Sequence, residues 1–173
     1  MEYIFTLKYR LPVHDSNHES LVNRLFEAGC DDALPGIGQP GRLALAFTRE
    51  APSGKRALES AIADVRRAFD DAELSEVLPD YVGLTDIAEQ VGMSRQNLRK
   101  IVMKHAETFP AAIHDGNPSI WHLSDSLRWL DQHGYPVDET TLEISVAARE
   151  FNIAMQASSL TADRSRELEA LMA

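Results

Sequence analysis

Hydrophobic positions change their spacing several times along this chain, and each change marks an element. Tyr3, Phe5, Leu7 and Tyr9 alternate with Ile4, Thr6, Lys8 and Arg10, the period of a strand with a buried face. From about Asn17, Leu21, Val22, Leu25 and Phe26 recur at helical spacing as far as Gly29, with Ser16 or Asn17 placed to cap the helix. Asp32 to Gly38 and Arg42 to Thr48 read as a hairpin around the turn Gln39-Pro40-Gly41. Gly54 to Phe69 returns to helical spacing with Leu58, Ile62, Val65 and Phe69 inside, and Leu74 to Leu78 has the length of a last strand. The class is α+β. The order β-α-β-β-α-β over residues 1–79 predicts a ferredoxin-like sandwich, an antiparallel sheet covered on one side by two helices.

Pro79-Asp80-Tyr81 reads as a short linker to a second unit, residues 80–136. Within it, LTDIAEQVGMSRQNLRKIV, Leu84 to Val102, predicts two short helices around a turn. Thr85 is expected to cap the first, from about Asp86 to Val91, with Ile87, Ala88 and Val91 on one face. Gly92 falls where the chain turns and a positive φ costs a glycine least. Ser94 is expected to cap the second helix, Arg95 to Lys104, whose Leu98, Ile101 and Val102 face inward. Arg95, Gln96, Asn97, Arg99 and Lys100 stay outside, and these residue types suit phosphates and base edges. Lys104 is expected on a phosphate. A solvated amphipathic hairpin is the plainer reading. It does not account for small Ala88, the turn Gly92, two hydroxyl caps and an acid-free basic helix occurring together.

After Phe109-Pro110, extended segments Ala112 to His114 and Ser119 to Leu123 flank the turn residues Asp115, Gly116, Asn117 and Pro118, as in a wing. Ser124 is expected to cap a helix from Asp125 to about His133, with Leu127, Leu130, Trp121 and Trp129 as its apolar anchors and Gly134 and Pro136 closing it. With these residues in view, Val82 to Gly134 resembles the winged helix-turn-helix of the MerR and AlpA excisionase-like DNA-binding proteins. The carrying elements are LTDIAEQVGMSRQNLRK, FP, DGN, Trp121 and LSDSLRWL. The resemblance implies Arg95, Gln96, Asn97, Arg99 and Lys100 in the major groove, and His114, Asn117 and His122 at the wing. It covers only that segment of the 173 residues, and the chain lacks both the long dimerisation helix directly after the wing and the cysteine-bearing effector region of a full MerR regulator. Metal sensing is therefore not carried over.

Charge sharpens this picture. The chain totals −10, yet Gln90 to Ala106 holds Arg95, Arg99, Lys100 and Lys104 and no acid, which leaves −14 on the rest. An acidic remainder repels DNA elsewhere and favours docking through the one basic patch. No metal or other cofactor is expected: His105, His114, His122 and His133 lack companion Cys or carboxylates at ligand spacing. Gly36, Gly38 and Gly41 are turn residues, since no helix and no Lys-Ser or Lys-Thr pair follows them. His14 and His18 with Asp15 and Glu19 read as a polar loop and helix start, and no catalytic set stands out, so an enzyme is not expected. The single Cys30 reads as a buried small residue in a reducing compartment. Without an apolar run near 18 residues or a signal segment, the expected location is cytoplasmic, away from membranes.

Residues 137–173 are expected to form a helical extension. Ile144, Ala147, Ala148, Phe151 and Met155 make an apolar stripe, and Thr161 is expected to cap a last short helix carrying Leu168, Leu171 and Met172. The stripe is open to two readings, packing on its own chain or holding a partner protein. Taken together, the residues point to a transcriptional regulator that reads double-stranded DNA as a homodimer, since one short recognition helix contacts few base pairs. Three alternatives are an antitoxin that represses its own operon and binds a toxin through a flank, a regulator sensing a metabolite through the N-terminal domain, and an excisionase-like architectural protein.

Overall fold

The computed structural model describes residues 1–12, 18–36, 38–39 and 41–172. The proposed caps Ser16 and Asn17, the His14-Asp15 pair and Pro40 lie outside them. Elements follow in the order β1 (Glu2–Arg10), α1 (His18–Glu27), β2 (Ala33–Gly36), β3 (Arg42–Glu50), α2 (Gly54–Ala68) and β4 (Glu73–Leu78). Then come β5 (Tyr81–Val82), α3 (Leu84–Gln90), α4 (Arg95–Lys104), β6 (Trp121–His122), α5 (Leu123–Gln132), α6 (Glu139–Ala157) and α7 (Ala162–Met172). The protein is mixed α+β. No helix among the described residues is long and apolar enough to cross a membrane.

β2, β3, β1 and β4 form one sheet in that spatial order, every neighbouring pair antiparallel. Alternation decides its two faces. Tyr3, Phe5, Leu7 and Tyr9 of β1 and Leu43, Leu45 and Phe47 of β3 are buried with Leu21 and Leu25 of α1 and Ala57, Leu58, Ala61 and Val65 of α2. The opposite face holds Ile4, Leu34, Ala46 and Thr48, of which Ile4 and Leu34 are largely exposed. The next inward position on β3 is a cation. Arg49 is buried there, donating to both oxygens of Asp32 at 2.6 and 2.8 Å and to Ser60 Oγ at 3.0 Å, with Asp64 Oδ2 at 2.8 Å from its Nη1. Two carboxylates on one guanidinium hold its pKa above the ordinary value, the hydrogen bond to Asp32 being the largest cause. Burial pushes the thiol of Cys30 up to about 11, so it is an inert core group.

The C-terminal extension does not behave as one piece. Ile144, Ala147 and Ala148 of α6 belong to the same core as the sheet and α2, with Phe151 and Met155 packed against it. Gly54, at the start of α2, makes this docking close. A Cβ there would stand 3.0 Å from the N and Cα of Ile144, so the bare glycine lets two backbones touch. Tyr3 donates its hydroxyl to Glu143 of α6, and burial, then that carboxylate, push its pKa up to about 12. The other side of α6 reaches the second unit through Arg149 and Asp125 of α5. In contrast, α7 buries none of its residues, and Leu171 and Met172 are exposed.

A second core joins Ile87, Ala88, Val91, Leu98, Phe109, Trp121, Leu123, Leu127, Trp129 and Leu130. α6 fastens it to the first through Leu142, which packs against this second core, and a polar cluster joins the two as well. Asp80, which reads as linker in the sequence, is fully buried. Its Oδ1 accepts from His122 Nδ1 at 2.6 Å, its Oδ2 from Asn152 Nδ2 at 2.8 Å, and its backbone carbonyl from Leu123 N at 2.8 Å. Asn152 also satisfies β4: its Oδ1 accepts from Val77 N at 2.9 Å and its Nδ2 donates to Val77 O at 2.8 Å. A side-chain amide thus occupies the place of a fifth strand at the sheet edge.

Candidate nucleic-acid interface

β5 and β6 clamp the base of the central unit, pairing Tyr81 with His122 and Val82 with Trp121. That pairing moves two helix starts. α3 begins at Leu84 with Gly83 as its cap residue, whose N–H donates to Asp86 Oδ2 at 2.8 Å. Thr85 therefore lies inside the helix and exposed, without the capping role expected of it. α5 begins at Leu123, because Leu123 N is anchored to Asp80, so Ser124 is buried within the first turn and its Oγ has no partner. The turn between α3 and α4 is as the residue types dictate. Gly92 has φ +65°, and Ser94 Oγ accepts from Asn97 N at 3.2 Å. We expect Gly92→Ala to cost about 1–2 kcal/mol through its left-handed backbone alone, because nothing stands within 4 Å of the added Cβ. Urea unfolding measures it.

α4 presses Leu98 into the core, with Ile101 and Val102 half-buried beside it. The polar side chains opposite divide by helical spacing into three rows. Arg95 and Arg99, one turn apart, face the segment after Phe109. There Ile113 N and Ile120 N donate to Ile120 O and His114 O, each at 2.9 Å, closing a small loop. Between α4 and the loop lies a cleft of about 310 Å³ lined by Arg95, Arg99, Asn117, Ser119, Trp121 and Leu84. Gln96, Lys100 and Met103 form the outermost row, at i, i+4 and i+7. Asn97 and Lys104, also seven apart, lie on the far flank, exposed. The residues expected together in one groove are thus split among a cleft, an outer row and a flank.

The loop is held by its own polar groups: Ser119 Oγ donates to Gly116 O at 3.1 Å and to Asp115 Oδ1 at 3.3 Å. His114 is exposed and its imidazole lies over Gly116. His122 is not at the loop surface as expected. It turns inward to Asp80, because the β5–β6 pairing fixes the direction of its side chain. His133 stacks on Trp129 with ring centroids 3.7 Å apart, and His105 sits 5.3 Å from the same indole. Among the described residues no three His, Cys, Asp or Glu side chains group as metal ligands.

Three features escape a reading of the residues alone. Met103 is 69% exposed on the outer row of a helix whose other apolar residues are inward. The i+3 step from Lys100 was the available signal. For Asn152 the available signal is a polar residue eight positions from Ile144, on the apolar stripe of α6. Asp80 carried no local signal. No family model, no curated protein and no solved structure matches this chain.

Proposed function

We propose that the protein is a sequence-specific DNA-binding regulator acting as a dimer, with α4 in the major groove and residues 112–122 as a wing beside it. The first unit is read as a ferredoxin-like domain, supported by its strand order and the two helices on one face. The second is read as a winged helix-turn-helix of MerR and AlpA type, and the protein as cytoplasmic. The carrying observation is the acid-free exposed face of α4, with Gln96 and Lys100 outermost and Arg95 and Arg99 turned to the cleft with Asn117 and Ser119. In this reading the outer row meets base edges, Met103 lies against a thymine methyl, and the cleft receives a backbone phosphate. Lys104 and Asn97 meet the phosphates along the other flank.

The test is binding of the purified chain to the DNA upstream of its own gene against random duplex, over a salt series. Selective binding that weakens with salt is the expected result. In the same assay Gln96→Ala and Lys100→Ala should each reduce the preference for the selected site by about 1–3 kcal/mol, whereas Lys104→Ala should weaken both duplexes alike. Equal losses on both duplexes for all three variants would refute the division of roles. A second reading, an antitoxin that also holds a protein partner, draws on α7, whose Leu171 and Met172 are exposed. Co-purification of a second protein that is lost on removing residues 162–173 would favour it.

A further inference from the structure

The uncovered face of the four-stranded sheet carries a second cationic feature, in the first unit and apart from α4. β1 and β3 pair so that Arg10 stands directly opposite Arg42. Alternation with buried Tyr9 and Leu43 turns both arginines to the uncovered face, where they are exposed. Like charges directly opposite on a sheet repel, so the pair is a cost to the free protein. Two other cations of this unit are paired with carboxylates. Lys8 Nζ lies 2.8 Å from Glu76 Oε2, and Arg49 has Asp32 and Asp64. The guanidiniums of Arg10 and Arg42 have no hydrogen-bond or ion-pair partner among the described residues, although Glu73 is the register partner of Arg10 on β4.

Beside the two arginines the sheet sinks into a recess of about 380 Å³. Its lining combines Lys8, Arg10 and Arg42 with the small residues Gly36, Ala44 and Ser75, which leave room above the strands, and holds one carboxylate, Glu76, which Lys8 neutralises. That volume falls in the range of sites for small organic molecules. We propose that the recess binds a small phosphate monoester, with its dianionic head between the guanidiniums of Arg10 and Arg42 and its organic group over Ala44 and Gly36. A phosphate fits this pair because each planar guanidinium can donate two parallel hydrogen bonds, and a charge near −2 offsets both cations at once. The proposal does not rest on the role given to α4.

Phenyl phosphate is the probe. The full chain, labelled with nitrogen-15, is titrated at ionic strength held constant with sodium chloride, and the amide shifts are followed. Saturable shifts at Lys8, Arg10, Gly36, Arg42, Ala44 and Ser75 are expected, with at least tenfold weaker binding in an Arg10→Gln, Arg42→Gln double variant. Without the probe that variant should melt about 1–3 °C higher, since a repulsion has been removed. Should the double variant fold poorly, Arg42→Lys keeps the charge but loses the planar fork, and its binding should fall between the two. Shifts confined to Arg95 and Arg99, shifts that never saturate, or undiminished binding in the variants would overturn the proposal. Displacement of the probe from the recess by duplex DNA would also overturn it, assigning the site to nucleic acid.

Discussion

Replacing Asn152 with leucine should lower folding stability by about 3–5 kcal/mol, with a melting midpoint lower by about 10 °C. The side chain is 2% exposed and makes three hydrogen bonds, two to the backbone of Val77 and one to Asp80. Leucine has similar bulk, so the loss is not one of volume. It leaves a peptide N–H, a carbonyl and part of a fully buried carboxylate without these partners, which costs more than the bonds themselves contribute. Urea unfolding of the variant measures the loss. Asp80→Asn, alone and with Asn152→Leu, resolves how much runs through the carboxylate, and the two effects should be strongly non-additive because they share one network. A loss under about 1 kcal/mol for Asn152→Leu would mean that the amide does not stand in for a strand at the edge of β4.

The second large effect concerns binding. An Arg95→Ala, Arg99→Ala double variant should bind cognate and random duplex about 10²–10³-fold more weakly at 0.1 M salt, because two charge-assisted contacts to phosphate are lost. The slope of log K against log salt should shrink by about 2 for the same reason. Both side chains are exposed on α4, so unfolding should be unchanged within about 0.5 kcal/mol, which separates lost contacts from lost structure. Undiminished affinity, or a loss on the cognate duplex alone, would remove the cleft from the phosphate-binding role.

Much of this molecule is legible from short-range patterns. The alternation in Tyr3 to Arg10 and in Arg42 to Thr48, and the helical spacing in Gly54 to Phe69, agree with β1, β3 and α2 to within a few residues. Those periods are set by how successive side chains leave the backbone, a property local to each segment. Gly92 and Ser94 are local in the same sense: a turn that requires positive φ and a helix start that leaves an amide unpaired each name their residue. The caps that failed, Thr85 and Ser124, did so because of something distant. The β5–β6 pairing joins Tyr81 and Val82 to Trp121 and His122, some forty positions apart, and it decides where both helices begin. Propensity yields to such a contact because a cap residue is worth only about 1 kcal/mol.

The candidate interface divides along the same line. By itself the chain determined which residues of α4 are polar, that no acid accompanies them from Gln90 to Ala106, and that they lie opposite Leu98. Only the tertiary structure decided that Arg95 and Arg99 face Asn117 and Ser119 across a cleft while Gln96, Lys100 and Met103 point outward. It also decided that the apolar stripe of α6 is spent on its own chain, and that Asp80, His122 and Asn152 meet in the interior instead of at a linker, a wing and a tail. A period along one segment specifies which side of that segment is apolar. What the apolar side rests against, and which polar group closes the gap, depends on chain brought together from far apart, and no local pattern records it.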